Sequence, residues 1–133
     1  MNYDGGAMIL GIGIDVVQID RIRQAIDRYG SRFIDRVFTP GEQEYCTSRG
    51  DPFESYAARF TAKEAAFKAL GRGWNECGGF TSVEVVSDKR KRPGLVLHGL
   101  AKHYAADIGA ARTFVSLTHH AGIAAAVVIL ENC

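Results

Sequence analysis

The sequence has little of several features that mark particular protein classes. Only 3 of its 133 residues are proline, and its 3 cysteines form no CxxC pair. Because an odd number of scattered cysteines makes a poor disulfide framework, we expect a reducing, cytoplasmic location. The 16 Lys and Arg residues nearly balance the 15 Asp and Glu residues, which argues against a non-specific nucleic-acid binder.

Long apolar runs and leader sequences are also missing. The longest apolar stretch, Ile123 to Leu130, has the length of a strand, whereas a membrane helix needs roughly 20 residues. No basic, apolar leader is apparent, so we expect neither a signal peptide nor a membrane partner. We predict a flexible lead over residues 1–8, in which Met8 is a candidate natural start, and a single domain over residues 9–133.

Hydrophobic periodicity predicts an α+β fold, with a small antiparallel sheet packed against helices. A strand over Ile9–Val17 leads into a helix that begins near Ile19 and ends at Gly30. A second helix has the N-terminal pattern Thr39-Pro40-Gly41-Glu42, which is typical of a capping box. The remaining elements predicted beside the central helix are strands over 82–87, 95–98, 113–117 and 123–130 and a helix over 100–108.

The central helix, which opens at Asp51-Pro52 and reaches Leu70, holds a carboxylate on an apolar stripe. Glu64 lies between Phe60 and Phe67, and the opposite side of the helix is all alanine, so both faces can pack. A carboxylate in such a place must be paired, bind a metal or take up a proton. Lys68, four residues later, could pair with it and leave it a purely structural role. The helix alone leaves both interpretations open.

Asp15 favours the functional interpretation. It shares a strand face with Gly11 and Gly13, whose missing side chains let backbone or a ligand come close. A structural alternative is an N-cap for the helix that follows. Two carboxylates from separate elements, with lysines nearby, suit Mg²⁺, which takes one or two carboxylates and completes its shell with water and phosphate oxygens. The pattern indicates phosphoryl chemistry.

Other motifs give weaker evidence for a function. The run from Gly11 to Asp15 lacks the third glycine of a dinucleotide-binding turn, because Val16 occupies that place, and no P-loop is present. Adjacent residues His119 and His120 point to opposite sides of a strand end, which disfavours a zinc site. The basic stretch over 89–92 is typical of a solvated turn.

Three blocks together resemble the holo-(acyl-carrier-protein) synthases, a 4′-phosphopantetheinyl transferase family. The resemblance spans about Ile9 to Leu130 and implies a 4′-phosphopantetheinyl transferase-like fold. The blocks are Gly11-Ile-Gly-Ile-Asp15 with Arg21-Ile22, then Arg59-Phe-Thr-Ala-Lys63-Glu64-Ala65 continuing to Gly71, and finally Ser116-Leu-Thr-His119.

The resemblance implies an enzyme that moves 4′-phosphopantetheine from coenzyme A to a serine of apo acyl carrier protein. It would release 3′,5′-ADP and supply holo carrier for fatty acid biosynthesis, as a homotrimer with active sites between subunits. The implied roles are Mg²⁺ binding by Asp15 and Glu64, added positive charge from Lys68, phosphate binding or proton relay by His119, and contacts of Arg59 and Lys63 with the nucleotide phosphates. Glu64 is also the first candidate for the base that deprotonates the serine.

A basic helix face is the second implied functional surface. Arg21 and Arg28 lie seven residues apart on one face and match basic positions that the family uses for the acidic carrier protein. The sequence departs from the family at Asp20, where a basic residue can occur, and at Lys91-Arg92-Pro93-Gly94, where relatives often have Gly-Lys-Pro. Two alternatives stay open: a metal-dependent phosphotransferase or hydrolase for another pyrophosphate, and a non-catalytic carrier-binding module in which Glu64 pairs with Lys68.

Overall fold

The computed structural model describes residues 6–133, so residues 1–5 of the predicted flexible lead lie outside the described part. The α+β prediction is confirmed. In chain order the elements are β1 (Ile9–Gln18), α1 (Ile19–Tyr29), α2 (Ser31–Val37), α3 (Pro40–Thr47), α4 (Pro52–Leu70), a 3₁₀ turn (Phe80–Ser82), β2 (Val83–Ser87), β3 (Pro93–Leu97), α5 (Gly99–Asp107), β4 (Arg112–His120) and β5 (Ile123–Glu131).

The strands form two antiparallel sheets rather than the single sheet predicted. One has three strands in the order β1-β5-β4, and the other is the hairpin β2-β3.

Met8, the last residue of the predicted lead, is hydrogen-bonded to Asn132. Its backbone N–H donates to Asn132 Oδ1 at 2.6 Å, and Asn132 N–H donates to its carbonyl oxygen at 3.0 Å.

Helix α4 lies directly on the three-stranded sheet because two glycines of β1 leave room for its backbone. A Cβ atom added to Gly13 would lie 1.8 Å from the carbonyl oxygen of Ala65, and one added to Gly11 would lie 2.2 Å from that of Ala69. The glycine face of β1 therefore admits the backbone of α4 and not a ligand. This close contact fixes Asp15 relative to the end of α4 that carries Glu64.

Local capping defines both ends of α4. The Asp51 carboxylate accepts hydrogen bonds from the backbone N–H groups of Phe53 and Glu54, as an N-cap does. Gly71 ends the helix with φ of 72°, a conformation that favours glycine. The helix is enclosed along most of its 19 residues.

No helix within residues 6–133 combines the length and the apolarity needed to cross a membrane.

The outer face of the three-stranded sheet is apolar and exposed. On β1 the residues that point away from α4 are Ile12, Ile14 and Val16, with 60%, 63% and 58% of their surface exposed. Phe114 on β4 belongs to the same face and is 47% exposed. Contiguous apolar surface of this kind is typical of an interface between subunits.

Candidate active site

Lys68 joins the C-terminal half of α4 to the strand β1. Its Nζ donates to Asp15 Oδ1 at 2.9 Å and to the carbonyl oxygen of Ile14 at 3.2 Å. The alternative i,i+4 pair between Lys68 and Glu64 is therefore absent from the described residues, because the ammonium group is turned toward β1. The interpretation of Glu64 as the structural partner of Lys68 loses its main support.

Glu64 is half-buried beside this pair and lines a shallow cleft with Phe67 and Lys68. Burial raises the pKa of its carboxyl group, the negative charge of Asp15 raises it further, and Lys68 lowers it. Lys68 links the two elements here, because its Nζ contacts Asp15 on β1 and its side chain lines the same cleft as Glu64 on α4. Glu64 has no hydrogen bond or ion pair with the residues that the structure describes.

This arrangement fits a small divalent cation. The negative charge of Asp15 disfavours ionisation of Glu64, so the two carboxylates gain by sharing a positive ion. Within residues 6–133, no group of three or more His, Cys, Asp or Glu side chains could hold a metal by itself. A cation at Asp15 and Glu64 would therefore need oxygen ligands from water or from a substrate, which is how Mg²⁺ is commonly bound.

His119 lies at the other end of α4. Its Nδ1 is 2.5 Å from Glu54 Oε2, in the first turn of the helix. Glu64 follows Glu54 by ten residues, which corresponds to roughly 15 Å along the helix axis. The structure therefore unites Asp15, Glu64 and Lys68 but leaves His119 apart from them within one chain.

Lys63 occupies a different environment from the one predicted. Its side chain is fully buried, with Nζ 2.7 Å from Glu42 Oε1 and hydrogen bonds to the carbonyl oxygens of Phe80, at 3.2 Å, and Val83. Burial lowers the pKa of its amino group, whereas the Glu42 carboxylate opposes that effect. A phosphate contact is not compatible with this position, so we assign Lys63 to the junction of α3, α4 and β2.

Arg59 is also largely enclosed, with 4% of its surface exposed. Its guanidinium group stacks over the ring of Tyr45, 3.7 Å from the ring centre. Its Nε is buried without a hydrogen-bond partner among the described residues. Nearby, burial raises the pKa of the Cys46 thiol to about 12, against the opposing charge of Arg59. Arg59 thus retains an unused donor, and its predicted contact with a nucleotide phosphate stays a prediction.

A comparison with known protein families decides the affiliation. The model of the 4′-phosphopantetheinyl transferase superfamily matches residues 11–128. The chain belongs to this superfamily.

Individual relatives agree with the family match. The holo-(acyl-carrier-protein) synthase of Solibacter usitatus is 46% identical over 125 residues, covering 94% of this chain and 100% of that protein. The crystal structure of the synthase from Neisseria meningitidis aligns with a TM-score of 0.85 at 29% identity, over 92% of this chain and 98% of that one. The Helicobacter pylori synthase in complex with coenzyme A aligns with a TM-score of 0.79 at 30% identity, over 90% and 98% of the two chains. The resemblance to these synthases and the prediction of an enzyme are confirmed.

In this transferase the two predicted docking arginines are exposed on α1. The Arg28 guanidinium lies 5.3 Å from the centre of the Tyr29 ring. Next to it, α2 continues the surface with a shallow pocket lined by Tyr29, Arg32, Phe33 and Arg36. Asp20 is the acidic residue that departs from the family pattern. Its Oδ1 lies 3.8 Å from Arg23 Nε, so its negative charge is next to a positive one. Arginine beside exposed aromatic side chains is typical of protein interfaces.

The sequence pattern did not identify two residues at these sites. Glu54 was not identified as the partner of His119, because the two residues are 65 positions apart in the chain. Trp74 lines the cleft with Glu64, yet no local motif pointed to it. A signal was available in each case: Glu54 is an acidic residue in the first turn of the motif-bearing helix, and Trp74 is the single tryptophan.

Proposed function

We propose that this chain transfers 4′-phosphopantetheine from coenzyme A to a serine of apo acyl carrier protein, with Mg²⁺, and supplies holo carrier for fatty acid biosynthesis. The observation that supports this most strongly is the convergence of Asp15, Glu64 and Lys68 beside a cleft in a member of this superfamily. The coenzyme A complex of the H. pylori relative supports coenzyme A as the donor.

The reaction exchanges one phosphorus–oxygen bond for another. The serine oxygen of the carrier forms a bond to the β-phosphorus of coenzyme A, and the bond from that phosphorus to the bridging oxygen on the adenosine side breaks. The electron pair of the broken bond stays on the leaving 3′,5′-ADP. The enzyme has to position the two substrates and balance the charge that develops on the leaving phosphate.

Asp15, Glu64 and Lys68 divide these tasks. Asp15 and Glu64 would hold Mg²⁺, and the ion would supply positive charge to offset the pyrophosphate oxygens. Lys68, half-exposed and already next to Asp15, adds a second positive charge at the same place. Glu64 is the first candidate to accept the serine proton, either directly or through a water molecule.

A second copy of the chain would complete the site. Within one chain His119 lies roughly 15 Å along α4 from Glu64, too far to contact the same phosphate. Arg59 belongs to the same N-terminal half of α4 and keeps an unpaired Nε. We expect the exposed His119 to bind the nucleotide end of coenzyme A in the site of a neighbouring subunit, while the contact of the enclosed Arg59 with the nucleotide phosphates stays a prediction. The exposed apolar face around Ile12 and Ile14 supports contact between copies of the chain, and the number of three comes from the resemblance to the synthase family.

Mixed oligomers test this sharing. Glu64→Gln and His119→Ala are each expected to inactivate the homotrimer. After the two inactive variants are unfolded together and refolded, some sites combine an intact Glu64 with an intact His119, and activity should return. Recovery that does not exceed the sum of the separate variants would contradict a shared site.

Carrier docking is assigned to the basic surface of α1 and α2. Arg21 and Arg28 offer positive charge to an acidic helix, and the pocket beside Tyr29 and Phe33 offers apolar surface. Complementary charge speeds encounter, while aromatic contacts extend the lifetime of a complex.

Intact mass spectrometry of an apo acyl carrier protein provides the decisive test. Incubation with the enzyme, coenzyme A and Mg²⁺ should add one phosphopantetheine, and EDTA should abolish the change. ATP in place of coenzyme A should leave the carrier unmodified. A folded enzyme that binds carrier but never changes its mass would favour the non-catalytic module, whereas turnover of another pyrophosphate would favour the alternative phosphotransferase.

A further inference from the structure

Trp74 is the single tryptophan of the chain and lies just beyond the end of α4. It belongs to the loop that follows Gly71, and its carbonyl oxygen accepts a hydrogen bond from the backbone N–H of Gly79 at 2.8 Å. Almost half of its surface, 48%, is exposed. The exposed part of the indole offers a flat apolar surface on which a planar ligand can stack.

The inner face of the indole is fixed by a stack of aromatic rings. Trp74 lies parallel to Phe80, with ring centres 5.3 Å apart and planes 19° apart. Phe80 in turn stacks on Phe60, at 5.5 Å and 24°, and contacts Phe67 edge-on at 5.8 Å. Because the stack continues into the core, the ring of Trp74 is held in place before any ligand arrives.

The exposed side of Trp74 adjoins the candidate active site. Trp74, Glu64 and Lys68 line the same cleft, which has a volume of about 260 Å³. Arg72 also borders it, but its guanidinium group is already engaged, 4.2 Å from the ring centre of Tyr104 and 3.3 Å from a Glu76 carboxylate oxygen. Within residues 6–133, neither Lys68 nor Arg72 stacks on the indole.

We propose that the exposed face of Trp74 stacks on the adenine ring of coenzyme A and helps to select an adenine nucleotide. This inference rests on the proposed function. Once the pyrophosphate is bound near Asp15 and Glu64, a group next to it is either the adenosine or the pantetheine arm. A rigid indole is matched by a flat aromatic base rather than by a flexible chain of amides. Loss of a stacked aromatic ring weakens binding of a base by roughly 5- to 150-fold.

Fluorescence of the single tryptophan reports directly on this contact. Titration with 3′,5′-ADP or with coenzyme A should quench the emission of Trp74. Ribose 3,5-bisphosphate, which lacks the base, and 4′-phosphopantetheine, which lacks the nucleoside, should leave it nearly unchanged. Quenching by 4′-phosphopantetheine but not by 3′,5′-ADP would overturn the proposal, because the indole would then contact the other arm.

Substitutions provide the second measurement, with calorimetry of 3′,5′-ADP binding as the readout. Trp74→Ala should raise the dissociation constant roughly 5- to 150-fold, whereas Trp74→Phe retains a ring and should raise it far less. Leu100→Ala, which removes another exposed apolar side chain, is the matched control and should bind normally.

The outcomes separate this inference from the proposed function. If coenzyme A binds and the carrier is modified, yet Trp74→Ala binds 3′,5′-ADP normally, the stacking proposal is wrong and the transferase function stands. If Trp74→Ala instead changes the oligomeric mass without changing nucleotide affinity, Trp74 is an interface residue, which also overturns the proposal. If neither coenzyme A nor 3′,5′-ADP binds the folded enzyme, both proposals fail.

Discussion

A methyl group on Gly13 would lie 1.8 Å from the carbonyl oxygen of Ala65, so the backbones of β1 and α4 are in direct contact. This contact sets the separation between the strand that carries Asp15 and the helix that carries Glu64. Backbone atoms of a packed helix cannot give way as a flexible side chain can. Structural stability and the geometry of the carboxylate pair therefore depend on the same glycine.

The first prediction is that Gly13→Ala costs about 3 kcal/mol or more in the free energy of unfolding, because the added methyl group overpacks the junction. Urea unfolding followed by circular dichroism measures it. Gly50→Ala is the matched control, since nothing lies within 4 Å of an added Cβ there, and it should be close to neutral. Equal stability of the two variants would mean that α4 can move away from β1 at little cost.

Local signals predicted the limits of the helices well. Gly30 ends α1, while Asp51-Pro52 and Gly71 bound α4, because each residue fixes the backbone without help from distant parts of the chain. Helix α2 was missed because Gly30 was taken as a stop, although a new helix begins at Ser31 directly after it. The predicted capping box at Thr39 is present in full.

Contacts between distant elements could not be predicted in the same way. The partner of Lys68 is Asp15 because Gly11 and Gly13 bring β1 against α4, a packing detail that helical spacing does not contain. Lys63 was expected at the nucleotide, but its Nζ reaches Glu42 on α3 inside the core. Family motifs identify the residue types and leave open whether each residue contacts a ligand or supports the fold.

A second prediction concerns the metal. Mg²⁺ should raise the melting temperature of the enzyme, because it relieves the repulsion between Asp15 and Glu64 and binds only the folded state. Differential scanning fluorimetry with and without Mg²⁺ measures the shift. Asp15→Asn and Glu64→Gln should each abolish it, whereas Glu44→Gln, an exposed carboxylate on α3, should preserve it. An unchanged shift in both site variants would exclude these carboxylates as the metal ligands.

The third prediction separates folding from substrate binding at Lys63. Lys63→Met should destabilise the protein by about 3–5 kcal/mol, because it leaves the Glu42 carboxylate buried without its cation. Lys102→Met, at an exposed position on α5, should change stability by less than about 0.5 kcal/mol. Chemical unfolding measures both. A normally stable Lys63→Met with a raised KM for coenzyme A would instead restore the phosphate-binding role.

The fourth prediction uses the buried thiol of Cys46, whose pKa is raised from 9.0 to about 12 by burial. Above pH 9 the thiol ionises in the unfolded chain while it stays protonated in the folded one. The stability that this difference contributes is therefore complete below about pH 9 and is lost as the pH rises toward 12. Unfolding free energies measured from pH 8 to 10.5 should fall more steeply for the wild type than for Cys46→Ala, by up to about 1 kcal/mol per pH unit.

Lys63 is present in both proteins, so its own titration contributes to both stability curves. Its pKa is lowered by burial, so its titration makes stability rise with pH, opposite to the fall expected from Cys46. Parallel stability curves would mean that the thiol is not held protonated by the fold. Thiol labelling provides an independent check on the folded protein. The exposed Cys133 should react rapidly, whereas Cys46 and Cys77 should react only on unfolding.

The fifth prediction tests the docking surface through the two substrates separately. Arg28→Glu places a negative charge where an acidic carrier would bind, so we expect the KM for the carrier to rise about tenfold or more, and Arg21→Glu should act in the same direction. The KM for coenzyme A should be unaffected, because both arginines lie on α1 and not in the cleft beside Glu64. Lys102→Glu makes the same change of charge on α5 and controls for long-range repulsion. Steady-state kinetics at two ionic strengths would distinguish local docking from long-range repulsion. If the carrier docks on α1, only Arg21→Glu and Arg28→Glu should raise the KM for the carrier. An equal rise with Lys102→Glu would mean that the change in net charge alone weakens carrier binding, and the docking surface would be wrong.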